Sequence, residues 1–470
     1  MPNTTQTQFD LIVLGGGPGG YTAAIRASRE NLSIALVEET ERLGGICLNW
    51  GCIPTKSLLR STEIYENVRS AGDFGVTAID AGFRWEDIIG RSRTVSDGFS
   101  DGVDFLMKKN GITVFHGRGI LEGGGKLRIS GADETVLTAR HIIIATGARP
   151  AGIPEVRIDR KTVITASEAL VLGKQPDSMV IAGAGAVGIE FACFFNSFGT
   201  DVTLLEARGR ILPGADREIS KRLAAFLKRR GINVMTSSTV AKAESDGGMC
   251  SVNVKNIQNG EDTGTIECDK LLVAAGSVGN TENIGLENAG VEVESGFISV
   301  DEMCRTTAEK ILAVGDCIGA PLLAHAASME AECAVDSIAG IKSGGTGQHC
   351  IPYCIYSKPQ TAWAGLSEQA ASDAGYDIAV GKCPFRSIGQ AVALGEPDGF
   401  VKAVIDKASG KILGVHIIGA GATEIIQEIV LAIDHGISAE RLIKTVHPHP
   451  TLSEAVRESV AGALGKSINI

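Results

Sequence analysis

Twice along the chain, an apolar run ends in Gly-x-Gly-x-x-Gly, a helix-forming stretch follows, and a second apolar run closes on an acidic residue. The first copy carries Gly15, Gly17 and Gly20 and ends at Glu38; the second carries Gly183, Gly185 and Gly188 and ends at Glu206. The interval from first glycine to acid is identical in the two. Each glycine has a separate job in such a unit. The first permits the tight strand-to-helix turn, the second lets a pyrophosphate approach the backbone, and the third lets the helix pack on the strand. The bare N–H groups of the helix start then hold the anion, and the acid accepts hydrogen bonds from a ribose. One glycine-rich turn alone is a weak signal, because such turns also serve packing. Strand, turn, helix and acid repeated in register imply two dinucleotide sites. A carboxylate at Glu206 repels a 2′-phosphate and favours NAD over NADP, while Arg208 and Arg210 nearby pull the other way.

The rest of the chain arranges itself around this repeat. His141-Ile-Ile-Ile-Ala-Thr-Gly147 and Lys270-Leu-Leu-Val-Ala-Ala-Gly276 match each other, and each predicts a strand ending at a ligand-facing glycine. Pro150 and Pro154 mark an exit from the first unit. Ile311–Asp316 resembles neither repeat, and residues 341–348 read as a linker. Beyond it, Phe400–Asp406 and Lys411–Ile418 suggest an antiparallel sheet, and residues 423–435 an apolar helix face. The expected fold is α/β: two Rossmann-like dinucleotide-binding domains plus a C-terminal α+β domain. The expected boundaries are 1–149, 150–276, 277–347 (completing the first domain) and 348–470. With 59 glycines and 5% aromatics in 470 residues, composition favours tight α/β turns over aromatic platforms for stacking bases. A net charge of −11 repels nucleic acid and anionic lipid. No apolar run is long enough to span a bilayer, and Met1–Phe9 lacks the basic and apolar regions of a signal peptide. A cytoplasmic location is expected, with most of the eleven cysteines as thiols.

Gly44-Gly45-Ile46-Cys47-Leu48-Asn49-Trp50-Gly51-Cys52-Ile53-Pro54-Thr55-Lys56 admits three readings. Two buried cysteines near a helix start is the plainest. A metal needs more soft ligands than the neighbourhood offers. A redox pair fits better: Pro54 suits a first helical turn, and a cysteine at a helix start near a lysine has a lowered thiol pKa. A second cysteine five residues away can close a short disulfide. The remaining cysteines read as plain thiols: Cys193, Cys250, Cys268, Cys304, Cys317, Cys333 and Cys383. Cys350 and Cys354 share a metal-like spacing but have no other ligands close in sequence.

The run from Gly44 to Lys56 resembles the redox-active disulfide motif of the flavin-dependent pyridine nucleotide-disulfide oxidoreductases. Within that family it is most similar to the members that oxidise dihydrolipoamide, and the resemblance covers nearly the whole chain. It implies FAD in the first domain, NAD in the second and a homodimer built by the C-terminal domain. It implies that Cys52 is the flavin-proximal thiol and Cys47 the one that exchanges with substrate. Lys56 falls beside the flavin, with Glu190 as its acidic partner. Asp316 matches the residue that binds the ribityl chain. Gly119, Thr146, Gly147, Leu323, Ala324 and His325 fall where the family touches FAD, and Val240 and Gly276 where it touches NAD. Ser277-Val278-Gly279-Asn280 departs from the Arg-x-Pro-Asn of many members. A C-terminal cysteine pair, as in mercuric reductase and the large thioredoxin reductases, is missing.

Near the C-terminus stands His447-Pro448-His449-Pro450-Thr451-Leu452-Ser453-Glu454. By itself this is a solvated loop followed by a capping box, Thr451-x-x-Glu454, that starts the last helix. The family's His-Pro-Thr-x-x-Glu motif gives it another role, with His449 as acid/base, Glu454 orienting it, and His447 packing nearby. Histidine suits the task because it titrates near neutrality. In the family this segment serves the partner subunit's site. The expected reaction is the reversible oxidation of dihydrolipoamide by NAD⁺ through Cys47, Cys52 and FAD. The expected larger partners carry lipoyl domains: 2-oxoacid dehydrogenase or glycine cleavage complexes. Nucleic acid, membrane and metal are not expected. Two rivals stand beside this reading: a reductase of another low-molecular-weight disulfide, and a flavoprotein with no catalytic role. The intact Cys47, Cys52 and His449 argue against the second.

Overall fold

Alternation decides how the first unit is layered. In the computed structural model, which describes residues 7–470 except 246 and 343, Leu11 and Val13 of the first strand face one core while Phe9, Ile12 and Leu14 face another. Both faces are covered, so the strand reads as a continuous apolar run. This strand, β1 (Gln8–Leu14), pairs in parallel with β2 (Ile34–Glu38), the two joined by helix α1 (Pro18–Ser28). The six-residue helix α2 (Gly45–Trp50) and the 18-residue helix α3 (Cys52–Arg69) follow, then the long helix α4 (Trp85–Lys109). Strands β3 (Thr113–His116), β4 (Arg118–Gly123), β5 (Lys126–Ser130) and β6 (Thr135–Ile144) complete the order β3-β2-β1-β6-β5-β4. The long β6 pairs antiparallel with β5 over its first half and parallel with β1 over its second. Ile311–Ala313, which resembled neither repeat, adds to the far side of β6 in parallel. The helix Ala324–Ala339 shares a core with α1, and Arg26 reaches its Asp336 at 2.7 Å.

This first unit gathers the described residues up to Leu58 with Arg84–Ala151 and Gly276–Gln348. The second comprises Leu59–Phe83, Gly152–Ala275 and His349–Ile470. Its nucleotide-type sheet repeats the first in miniature: Ser178–Ala182 lies between Asp201–Glu206 and Lys270–Val273, all parallel. An antiparallel meander of Ser238–Ser245, Cys250–Asn256 and Asp262–Cys268 packs on it. The C-terminal segment builds a five-stranded antiparallel sheet in which Phe400–Asp406 and Ile412–Ile418 are central neighbours. Helices Ala422–Asp434 and Glu454–Ala463 share this sheet's own apolar core.

The opening segment Met1–Gln6 and Ser343 of the linker lie outside the described residues. Among the described residues no helix is long and apolar enough to cross a membrane.

Candidate functional site

The two glycine turns are built alike, atom for atom. Gly15 has φ +108° and Gly183 φ +116°, a region that favours glycine. A Cβ on Gly15 would stand 2.3 Å from the Ala145 oxygen, and one on Gly183 would stand 2.2 Å from the Ala274 oxygen. Gly20 and Gly188 are tighter still: a Cβ would come within 1.8 and 1.9 Å of the first glycine's oxygen. No Cβ-bearing residue fits there, because the helix lies directly on the turn. The N-caps of α1 and of Ala186–Ser197 are Gly17 and Gly185, neither with a side-chain cap, so the first-turn N–H groups stay available to a pyrophosphate. The acids are held identically. Glu38 accepts from Gly16 N at 2.8 Å and from Thr40 N at 2.8 Å. Glu206 accepts from Ala184 N at 3.0 Å and Arg208 N at 2.8 Å. Of the two arginines beside Glu206, Arg210 spends its guanidinium on the carbonyls of Pro213 and Ala215, while Arg208 is exposed. These cradles fit a dinucleotide in each unit.

Cys47 lies in α2 and Cys52 opens α3, and the structure holds both as thiols. The Cys47 thiol is hydrogen-bonded to Cys52. That bond, burial and the Cys52 charge push the Cys47 thiol up, while Lys56 pulls it down. Cys52 sits at the helix start, where the dipole favours a thiolate. Asp316 is near enough for its charge to act on Cys47, and burial pushes its own carboxyl up. Burial first, then the two thiols, push the Tyr21 phenol of α1 up as well.

Several residues that hold this loop escaped the sequence reading. Ser96 and Ser100, buried on α4, donate to the carbonyls of Leu48 and Leu43, and Arg93 donates to Asn49 O at 2.8 Å. Arg93 also lies over the Trp50 ring, 5.1 Å from its centroid. Asn49 reaches back to the carbonyls of Leu43 and Gly45. The only sequence signal was serine at every fourth position, Ser92, Ser96 and Ser100. Asn280 is another: its side chain and backbone bond Thr146 O and Gly147 O, and it accepts from the Thr146 hydroxyl at 2.8 Å. The preceding Ser277–Gly279 pairs with Ala148–Pro150, so the departing sequence forms the return crossing. Buried Glu330 accepts from Gly315 N at 2.7 Å and fixes the turn that carries Asp316.

The other expected FAD residues also fall in the first unit. Gly119 sits on β4 against Leu14, Leu323 caps the helix Ala324–Ala339, and Ala324 and His325 open it. Val240 is buried on the meander of the second unit, while Gly276 (φ +118°) opens the return segment Gly276–Gln348 of the first. Glu190 is buried in the second unit and accepts from Tyr356 N at 2.9 Å. Lys56 and Glu190 lie in different units, and their pairing stands as an expectation of the resemblance.

His449 and Glu454 form a dyad. Glu454 Oε1 meets His449 Nδ1 at 2.9 Å, and its Oε2 accepts from Thr451 N at 2.9 Å. Burial pushes the Glu454 carboxyl up, but Thr451 N–H and His449 outweigh it and leave it lowered. An ionised Glu454 keeps the proton on Nδ1, which leaves the Nε2 lone pair available to accept one. The His449 side chain is 77% exposed, while that of His447 is 6% exposed and bonded to Glu428 at 2.8 Å. The capping box expected at Thr451 is only half formed. Ser453 is the cap, the helix starts at Glu454, and the Thr451 hydroxyl donates to Pro448 O instead. The carboxylate takes the N–H, but the hydroxyl is spent on steadying the histidine loop.

Residues 9–331 match the family model described as pyridine nucleotide-disulphide oxidoreductase, and residues 351–460 match that family's dimerisation domain. The chain is 43% identical over 464 residues to a dihydrolipoyl dehydrogenase of Chlorobaculum parvum, covering 98% of each. It is 41% identical to that of Bacillus subtilis, covering 98% of this chain and 99% of the relative. Among solved structures it resembles LpdA from Mycobacterium tuberculosis, with TM-score 0.88, 26% identity, and 97% and 99% of the two chains covered.

Proposed function

Since the chain belongs to the pyridine nucleotide-disulphide oxidoreductase family, we propose a division of labour among its residues for the family's reaction. The protein is a flavoenzyme that oxidises dihydrolipoamide with NAD⁺. A substrate thiol loses its proton to His449 Nε2, and the thiolate attacks Cys47 of the oxidised Cys47–Cys52 pair. The S–S bond breaks and Cys52 leaves as thiolate, which Lys56 and the start of α3 stabilise. The second substrate thiol displaces Cys47 from the mixed disulfide, and lipoamide departs. Bound FAD and NAD⁺ supply the two-electron transfer that reoxidises the dithiol and yields NADH. Gly15, Gly17, Gly20, Glu38, Gly119, Thr146, Gly147, Asp316, Leu323, Ala324 and His325 would hold FAD. Gly183, Gly185, Gly188, Glu206, Val240 and Gly276 would hold NAD. The reading rests on one observation above the others: the Cys47 thiol bonded to a Cys52 that opens a helix beside Lys56.

The matched dimerisation domain makes the enzyme a homodimer. We place His449 in the site of the second copy, because its ring is held by Glu454 yet exposed, and Val446 beside it is 91% exposed. The substrate in the cell is then a lipoyl arm of a 2-oxoacid dehydrogenase or glycine cleavage complex, in the cytoplasm, where the other cysteines stay reduced.

Anaerobic NADH formation from dihydrolipoamide and NAD⁺, measured for the protein and for Cys52→Ser, tests this. Fast turnover lost in the variant is expected. A fully FAD-loaded dimer without turnover defeats the lipoamide assignment, and the same assay with glutathione disulfide and NADH then identifies a reductase of other disulfides.

A further inference from the structure

A second pair of thiols faces each other far from the motif in sequence. Cys250 begins one strand of the meander and Cys268 ends the next, and they are direct partners in the antiparallel ladder. Directly opposed residues in such a ladder stand about 4.5 or about 5.5 Å apart at Cα, depending on the type of pair. Both separations lie within the roughly 4.4–6.8 Å that a disulfide spans. The two side chains share the core beneath the meander, and the Cys268 thiol donates to the Cys250 carbonyl at 3.6 Å. The sequence reading took them for unrelated thiols.

We propose that Cys250 and Cys268 form an oxidisable dithiol, distinct from the Cys47–Cys52 pair, that takes hydroperoxides and closes to a cross-strand disulfide. The proposal does not depend on the reaction assigned above. Cys250 is the attacking sulfur. The neighbouring Cys268 leads in lowering its thiol, against burial, while Cys250 and burial push the Cys268 thiol up. The Cys250 thiolate attacks one peroxide oxygen, the O–O bond breaks, and an alcohol or water leaves as Cys250 becomes a sulfenic acid. Cys268 then attacks the Cys250 sulfur, the S–O bond breaks, and water leaves. Two thiols and one hydroperoxide thus give one disulfide, one alcohol (or water) and one water. Both side chains are buried, so access needs a local opening. The fold makes that opening cheap: Asp262–Cys268 is an edge strand, exposed along most of its length, and the pair closes the end of its ladder.

The test uses the FAD-loaded protein with hydrogen peroxide in stepwise excess, quenching with N-ethylmaleimide under denaturing conditions, and mass spectrometry of the unreduced digest. A peptide pair joining Cys250 to Cys268, two hydrogens lighter than the separate peptides, is expected. In Cys268→Ser the same dose leaves Cys250 as a sulfenic acid that dimedone captures. If both peptides carry maleimide at a dose that fully oxidises Cys47 and Cys52, or if Cys250 joins any other cysteine, the proposal is wrong. Cys250→Ser that keeps wild-type NADH formation while losing the cross-link separates this pair from the catalytic one.

Discussion

At the residue scale, the base and its orienting acid are the most exposed part of the chemistry. In the proposed mechanism His449 takes a proton from substrate, and general base catalysis of this kind contributes about 10²–10⁴-fold. His449→Gln is therefore expected to lower kcat by about that factor, with KM for NAD⁺ unchanged. Glu454→Gln keeps a partner for Nδ1 but loses the charge that fixes its proton. A kcat loss of about a hundredfold in steady-state NADH formation is expected. The neighbouring His447 serves stability instead. Its bond to Glu428 comes first among the influences that push its imidazole up. A raised folded pKa gives stability that is fully present below the ordinary value, about 6.5, and lost as pH rises through the raised one. Two measurements follow: His447 should titrate in NMR above about 6.5, and Glu428→Gln should lower Tm more at about pH 6 than at about pH 9.

At the scale of elements, a helix that touches no reacting atom shapes the redox loop. The buried hydroxyls of Ser96 and Ser100 donate to the carbonyls of Leu48 and Leu43 on either side of Cys47. Ser96→Ala strands the Leu48 carbonyl and is expected to cost about 1–3 kcal/mol, read as a lowered Tm and a slower dithiol exchange. The effect at Ser100 should be smaller, because Asn49 also donates to Leu43 O. The two glycine turns give the sharpest contrast. They have the same geometry but lie in different units. Gly188→Ala is expected to raise KM for NAD⁺ about tenfold or more with flavin content unchanged, a loss of at least about 1.4 kcal/mol. Gly20→Ala should instead lose the flavin absorbance itself.

At the scale of the whole molecule, the dimer is where assignment and geometry meet. If His449 completes the second copy's site, Cys47→Ser and His449→Gln are each inactive, but refolding them together restores one good site per mixed dimer. Random pairing then returns about a quarter of wild-type turnover, and a mixture that stays inactive places the histidine in its own chain's site. Much of this molecule was legible in its residues because the features are local. The glycine fingerprints, their acids and Cys47-x-x-x-x-Cys52 each lie within one turn or one strand–helix–strand unit, where backbone sterics leave few alternatives. The apolar run of β1 and the apolar helix face at residues 423–435 were equally visible. Other features needed the folded chain. Arg93, Ser96, Ser100 and Glu330 act on atoms 15 to 57 residues away, and beyond the four-residue spacing of the serines nothing in their own neighbourhoods marks them. Thr451 was misjudged as a full cap because the helix starts only at Glu454, with Ser453 as its cap. Sequence alone determined that two strand–turn–helix repeats form and what their turns can hold, since both follow from local sterics and spacing. Tertiary structure alone decided which thiols meet, which serines prop the loop and which histidine stays exposed, because those depend on strand register and on burial from distant elements.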